Sequence, residues 1–177
     1  MKLVFAAASA AALLAAAPAM AQDGPSVYIN GGYAVVDAET TGDANFDAIA
    51  LRGGVKFTQH LGIEAEGHIG VTDADVGATK IDLDSAYGVY VVGFIPASEK
   101  MTFHGRIGFG NNEFTSTTGA TSTSRGYDSI NYGIGGTYML NDRFGLRGDY
   151  TRIDNSDSKI PNGDANVFSL SLTMKLR

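Results

Sequence analysis

From residue 22 onward, the feature that most restricts the fold is a two-residue alternation of apolar and polar side chains. It is clearest in residues 61–71, where Leu61, Ile63 and Ile69 alternate with Glu64 and Glu66. This period is that of a β-strand with one apolar face, whereas an amphipathic helix would repeat every 3.6 residues. The sequence predicts eight such strands, most of about 9–11 residues or more, the length that crosses a bilayer when tilted. They cover residues 27–35, 49–57, 61–71, 80–95, 101–109, 130–140, 144–150 and 168–176.

The predicted connections alternate between short and long. Three are short, namely Thr58–His60, Pro96–Lys100 and Asn141–Arg143, and four are long, namely Val36–Asp47, Thr72–Thr79, Asn111–Ser124 and Asp154–Ala165. An even number of antiparallel strands with short turns at one end and long loops at the other is typical of an outer-membrane β-barrel. We expect Asn111–Ser124, which is polar and of low complexity, to be a mobile loop. We expect the run Ile81–Tyr87 to protrude as a strand with an exposed edge, open to strand addition.

The polar face of the strands carries charges of both signs. If Phe57 pairs with Leu61, Arg52 lies directly opposite Glu66, and Lys56 lies diagonal to Glu64. A small, Gly/Ser/Thr-rich polar face with charges that can pair suits a narrow lumen better than a solvated exterior. The sequence therefore predicts a lumen charge network of Arg52, Lys56, Glu64, Glu66, His68, His104, Arg106, Arg147 and Asp149.

The aromatic residues of the apolar face collect near the strand ends. Those near the short turns are Phe57, Phe103, Tyr138 and Phe144, and those toward the long loops are Tyr87, Phe109, Tyr132, Tyr150 and Phe168. Two such groups are expected of the aromatic girdles at the two faces of a membrane. The alternative is a soluble periplasmic barrel of the lipocalin kind, with its apolar face inside and an apolar ligand bound there.

The N-terminus has the pattern of a cleavable secretory signal. Lys2 provides a positive charge, residues 3–17 are apolar, and Ala19-Met20-Ala21 is a small-x-small cleavage motif. We expect residues 1–21 to be removed after Ala21, leaving residues 22–177 as one barrel domain in the outer membrane of a Gram-negative bacterium. The absence of cysteine excludes a disulfide scaffold, and the net charge of −6 argues against nucleic-acid binding.

Over essentially all of residues 22–177 the chain resembles the small outer-membrane β-barrel family, the porin-like group that includes opacity-type surface antigens. The residues that carry the resemblance are Val27–Tyr33, the pairing of Ile49–Phe57 with Leu61–Val71, Tyr87–Pro96, and Gly133–Tyr138 followed by an Asn-Asp turn. The resemblance implies an eight-stranded, antiparallel, up-and-down transmembrane barrel. Its expected partners are outer-membrane lipids and lipopolysaccharide, the barrel-assembly machinery during biogenesis, and an extracellular protein bound through the loops.

The sequence favours a structural or surface-interaction role over catalysis. An eight-stranded barrel is just wide enough to be filled by side chains, so we expect a closed lumen, with a narrow porin-like channel for small solutes as the alternative. Neither a nucleophile–base arrangement nor metal-ligand spacing is present, so we expect no enzyme activity, no cofactor and no metal. The tripeptide Arg147-Gly148-Asp149 lies within a strand, where alternation directs both charges inward, and we do not expect it to act as an adhesion signal. We expect a monomer.

Overall fold

The computed structural model describes residues 25–38, 44–76, 79–118, 121–155 and 164–176. These residues form nine strands: β1 (Ser26–Ala38), β2 (Ala44–Lys56), β3 (Leu61–Gly70), β4 (Asp73–Val76), β5 (Thr79–Pro96), β6 (Met101–Thr118), β7 (Thr121–Met139), β8 (Phe144–Asn155) and β9 (Ala165–Lys175). No helix in this part of the chain is long and apolar enough to cross a membrane. The predicted signal segment 1–21 and its cleavage site at Ala21 lie outside the described residues.

The strands close into a barrel of antiparallel neighbours. β9 pairs with β1, and β3 pairs with β5, so the sheet joins onto itself. β4 follows β3 after residues 71–72 and pairs with residues 79–82 of β5. β3 and β4 therefore act as one interrupted strand of the barrel. With β3 and β4 counted as one, the barrel has eight strands, and the predicted eight-stranded antiparallel fold is confirmed.

Each short turn is closed by the same side-chain device. The first or second residue of the turn is a Thr, Ser or Asn, whose side-chain oxygen accepts a hydrogen bond from the backbone N–H three residues further on. The pairs are Leu61 N–H to Thr58 Oγ1 at 3.0 Å, Met101 N–H to Ser98 Oγ at 3.0 Å and Phe144 N–H to Asn141 Oδ1 at 2.8 Å. These residue types favour tight turns because their side chains satisfy the local backbone. This end of the barrel is called the short-turn end below.

The opposite end, called the outer end, contains far more strand than expected. β6 and β7 continue as one hairpin to Thr118 and Thr121, so the prediction of a mobile loop at Asn111–Ser124 is wrong. Cross-strand hydroxyl pairs support this hairpin, with Thr115 Oγ1 2.6 Å from Ser124 Oγ and Thr117 Oγ1 2.9 Å from Ser122 Oγ. Because Ser and Thr occupy both faces, the hairpin has no apolar alternation by which it could have been recognised.

The expected exposed edge at Ile81–Tyr87 is also absent. β5 pairs with β6 on one side throughout this segment, and on the other side with β4 and β3 except at residues 83–85. A β-bulge at residues 83–85 shifts the register there. The strand does extend past the barrel wall as predicted, but it lies inside a sheet rather than at its edge.

Large apolar side chains cover the outside of the barrel. Ile134, Leu170 and Phe109 are 67, 65 and 74% exposed, whereas the residues that flank them in the chain and face inward are glycines and serines. This distribution is the reverse of that in a water-soluble barrel and matches a protein that has lipid as its outer solvent. It excludes the lipocalin-like alternative, which required the apolar face to point inward.

Candidate functional site

The lumen is filled along its length by three groups of side chains. The charge layer occupies the middle and consists of Arg52, Glu64, Glu66, His104, Arg106, Arg147 and Asp149, all buried. The outer apolar layer lies toward the outer end and consists of Ala34, Val36, Phe46, Ala48, Ala50, Ala165 and Val167. The aromatic cluster consists of Tyr28, Tyr90, Val92 and Phe94, and it reaches toward the short-turn end.

The β2–β3 hairpin supplies one half of the charge layer. Its register places Arg52 directly opposite Glu66. The Arg52 Nε donates to Glu66 Oε2 at 2.6 Å and its Nη2 bonds to the same oxygen, while Nη1 reaches Asp149 Oδ2 at 3.0 Å across the lumen. Arg106 of β6 donates to Glu66 Oε2 at 2.7 Å and to the Thr151 hydroxyl. Glu66 is thus held by two guanidinium groups.

Arg147 supplies the other half. Its Nη1 and Nη2 donate to both carboxylate oxygens of Glu64, the second at 3.1 Å, and Nη2 also lies 2.9 Å from Asp149 Oδ1. Bidentate guanidinium–carboxylate pairs are among the strongest hydrogen-bonded contacts in proteins. Arg147 is 2% exposed and Asp149 is 6% exposed, so both charged side chains of the Arg-Gly-Asp tripeptide are inaccessible to a receptor. The layer contains three arginines and three carboxylates, and these charges balance.

The two inward histidines each contact a carboxylate. His104 Nε2 lies 2.7 Å from Asp149 Oδ1, and His68 Nε2 lies 3.0 Å from Glu66 Oε1. Lys56 is placed differently from the expectation that it would join this network. Its ammonium group lies 4.0 Å from the centre of the Phe94 ring, and within the described residues it forms no ion pair with Glu64.

The sequence analysis missed the buried tyrosines that complete the network. The Tyr28 hydroxyl donates to Glu64 Oε1 at 2.5 Å, and the Tyr90 hydroxyl donates to Glu66 Oε1 at 3.2 Å. The signal that could have revealed Tyr28 is Gly54, its cross-strand partner, where a Cβ atom would overlap the tyrosine ring. A glycine opposite a bulky inward residue is a packing requirement of a narrow lumen.

The outer apolar layer was missed as well. Phe46 is its largest member and is 2% exposed, and it packs with Ala34, Val36 and Val167. In residues 33–36 both strand faces are apolar, so the alternation that identifies the lumen side disappears. The lumen is therefore closed by an apolar layer in addition to the charges.

All nine residues predicted for the aromatic girdles point outward, with exposures from 37% for Tyr150 to 74% for Phe109. The structure places Phe57, Phe103, Tyr138 and Phe144 at the short-turn end, and Tyr87, Phe109, Tyr132, Tyr150 and Phe168 farther toward the outer end. Tyr33, at 45% exposure, lies on the same face near Phe168 and was not predicted.

The arrangement offers little for chemistry. Across the described ranges, no group of three or more His, Asp and Glu side chains has the geometry to hold a metal ion. A cavity of about 10 Å³ borders the charge layer and is lined in part by Glu66, His68, Tyr90 and Asn131. An eight-stranded barrel is narrow enough for side chains to fill its lumen, as those of the charge layer do here.

The family to which the chain belongs follows from comparison with known proteins. The model of a family described as the outer membrane protein beta-barrel domain matches residues 6–175. No curated protein matched the sequence.

Among solved structures, the chain is similar to Ail, the attachment invasion locus protein of Yersinia pestis, in complex with the heparin analogue sucrose octasulfate. The two share 18% identity over 86% of this chain and 99% of that one, with a TM-score of 0.65. Neisserial surface protein A (NspA) shares 11% identity over 86% of this chain and 99% of that one, with a TM-score of 0.64. The outer membrane protein OprG of Pseudomonas aeruginosa shares 14% identity over 86% and 96%, with a TM-score of 0.61. These likenesses concern the fold, and together with the family match they show that the chain belongs to the outer membrane protein β-barrel family and resides in the bacterial outer membrane.

Proposed function

We propose that this protein is a non-conducting outer-membrane barrel that holds an acidic, strand-built surface above the membrane for contacts with extracellular macromolecules. The proposal that the barrel does not conduct rests on two layers of side chains that fill the lumen. The charge layer pairs three arginines with three carboxylates, and the outer apolar layer is sealed by Phe46. A permeating ion would have to break the ion pairs and also cross apolar packing.

Conductance across planar lipid bilayers tests the closed lumen directly. We expect the purified, folded protein to give no discrete current steps. Phe46→Ala combined with Arg147→Ala serves as the opened control, because it removes the largest side chain from each layer. Discrete steps from the unaltered protein would overturn the proposal and favour the narrow porin-like channel.

The proposed binding surface above the membrane rests on the shape and charge of the outer end. The β6–β7 hairpin continues in unbroken register to Thr118 and Thr121, which makes a stiff support instead of a loop. Residues 34–38, 44–48, 69–76, 79–86, 110–118, 121–129, 151–155 and 164–167 contain ten acidic and three basic residues. Such a surface attracts basic partners and repels polyanions.

The outer end of this chain is acidic, whereas Ail was solved in complex with the heparin analogue sucrose octasulfate, a polyanion. We expect the reconstituted protein to bind poly-lysine in a salt-dependent manner and to leave sucrose octasulfate unbound. Asp128→Asn with Asp154→Asn should weaken the poly-lysine binding. Sucrose octasulfate binding that equals or exceeds that of poly-lysine would refute a surface selective for basic partners.

We also propose that residues 1–21 direct export and are removed after Ala21, that the barrel-assembly machinery of a Gram-negative cell inserts the chain as a monomer, and that its apolar outer wall contacts outer-membrane lipids and lipopolysaccharide. The aromatic residues at its two ends would lie at the membrane–water interfaces. Mass spectrometry of the membrane-extracted protein tests the cleavage, since the mature chain should begin at Gln22. A chain that retains residues 1–21 would contradict it.

A further inference from the structure

A small cavity lies between the charge layer and the outer apolar layer. Its volume is about 10 Å³, and its polar lining includes Glu66, His68, Tyr90, Asn112, Asn131 and Thr151. Ile153 and Val167 form its apolar side, toward the outer end. A buried water needs about 10–15 Å³ of such volume and two to four polar partners. The cavity is thus of the size of one water molecule and is too small for a solute.

Two side chains that line this cavity carry buried polar atoms without a partner among the described residues, His68 Nδ1 and Asn131 Oδ1. His68 is 9% exposed and Asn131 is 3% exposed, so bulk water does not satisfy either atom. An unsatisfied buried polar atom costs about 1–3 kcal/mol, which makes two of them beside one cavity unusual.

The remaining atoms of the same side chains form a hydrogen-bonded chain with one link missing. Asn131 Nδ2 donates to the Tyr90 hydroxyl at 3.1 Å, and the Tyr90 hydroxyl donates to Glu66 Oε1 at 3.2 Å. His68 Nε2 lies 3.0 Å from the same Glu66 oxygen and must donate to it, because an ionised carboxylate only accepts. In a neutral imidazole the proton on Nε2 leaves Nδ1 as an acceptor. The two open ends, His68 Nδ1 and Asn131 Oδ1, are then both acceptors.

We propose that this cavity is a binding site for a single water molecule, which donates one hydrogen bond to His68 Nδ1 and one to Asn131 Oδ1. The water closes a ring that runs through His68, Glu66, Tyr90 and Asn131. Water is the neutral molecule of this size with two donors, which is what two acceptors require.

Other small occupants fit the site less well. An anion would face two acceptors and the Glu66 carboxylate. A monovalent cation would lie beside a carboxylate that already contacts Arg52 and Arg106, in a layer whose charges balance. Water also explains why the cavity borders polar side chains below and apolar ones above, since its hydrogen bonds are needed only on the polar side. The site does not depend on whether the barrel conducts.

Magic-angle-spinning NMR of the full protein in lipid bilayers, with ¹⁵N-labelled histidine, tests this site through polarisation transfer from water to the imidazole nitrogens. The chain provides its own controls because it contains three histidines. His60 lies in an exposed turn and should receive water polarisation. The Nδ1 of His104 is also buried without a partner among the described residues, but His104 does not line the cavity and should receive none. His68 should show a protonated Nε2, an accepting Nδ1 and transfer from water despite its burial.

Asn131→Leu removes one acceptor and fills the cavity, so transfer to His68 should be lost while transfer to His60 is unchanged. The spectrum of the unaltered protein decides the matter even if this variant fails to fold. Transfer to His68 as weak as that to His104, or transfer that persists in folded Asn131→Leu, would overturn the bridging water. A shift of the His68 resonances when sodium is exchanged for caesium would identify a cation instead and would equally overturn it.

Discussion

Removal of Arg147 is the sharpest test of how the lumen is held closed. The side chain is 2% exposed and bridges Glu64 to Asp149, and in its absence these carboxylates keep different partners. Asp149 retains Arg52 at 3.0 Å and His104 at 2.7 Å. Glu64 retains the Tyr28 hydroxyl, but its nearest remaining guanidinium nitrogens are those of Arg106 at 3.7 Å and Arg52 at 3.8 Å.

The expected loss follows from the charge left behind. Arg147→Met keeps most of the side-chain volume but leaves three carboxylates against two arginines, with Glu64 fully buried. Breaking a buried ion pair by removing one partner typically costs about 3–5 kcal/mol, because the other charge stays desolvated. Arg147→Met with Glu64→Gln removes both charges, and replacing a whole pair in this way is often close to neutral. We therefore expect the double variant to be more stable than the single one.

Urea titration of the protein folded into lipid vesicles measures this difference. The chain has no tryptophan, so the folded fraction is best followed by the mobility of unboiled samples on gels. With an m-value of about 2 kcal/mol/M, the single variant should lower the urea midpoint by about 2 M. Lys56→Met is the matched control, since its ammonium group stacks on the Phe94 ring and forms no ion pair within the described residues, and a cation–π contact contributes about 0.5–1 kcal/mol at a partly exposed site.

Two results would refute this reasoning. If Arg147→Met is no more destabilising than Lys56→Met, the charge layer does not hold the lumen together. If the double variant is as unstable as Arg147→Met alone, the loss comes from packing around residue 147 and not from the unpaired carboxylate.

Three further predictions concern the other surfaces of the wall. Phe46→Ala should lower the unfolding free energy by about 3–5 kcal/mol in urea titrations, as for other buried aromatic residues. The variant should still give no current in bilayers, because the charge layer remains, and stable current steps would contradict this. Leu170→Arg, at a position 65% exposed on the lipid-facing side, should cost about 2–4 kcal/mol in the same titration, and a negligible loss would place this residue outside the hydrocarbon layer. Gly54→Ala should destabilise the barrel, because the new Cβ overlaps the ring of Tyr28. In Gly53→Ala the new Cβ meets open space, so this variant should be neutral or stabilising by up to about 1 kcal/mol. Equal urea midpoints for the two variants would show that the tyrosine ring moves freely.

The alternation of side chains was sufficient to predict the closed barrel and the direction in which most residues point. Because a strand sends successive side chains to opposite faces, Leu61 and Glu64 could be placed on the lipid and lumen sides without a structure. The three-residue turn between the second and third strands also determined a register, and Arg52 does lie opposite Glu66. Where this signal vanished, prediction failed. The β6–β7 hairpin is polar on both faces and residues 33–36 are apolar on both, so the length of the hairpin and the outer apolar layer were missed.

Which inward side chains meet was decided only by the closed barrel. Arg147 and Glu64 are 83 residues apart in sequence, and Arg52 and Asp149 are 97 apart, on strands that are not neighbours in the sheet. Alternation assigns each of these residues to the lumen, but it contains no information about the position of each side chain along the barrel axis. That position depends on the tilt of the strands and on the register with which the sheet closes between β3 and β5. The sequence by itself therefore determined the two faces of the wall, whereas the tertiary structure decided the partners within the lumen, the isolation of Lys56 and the one-water cavity beside His68.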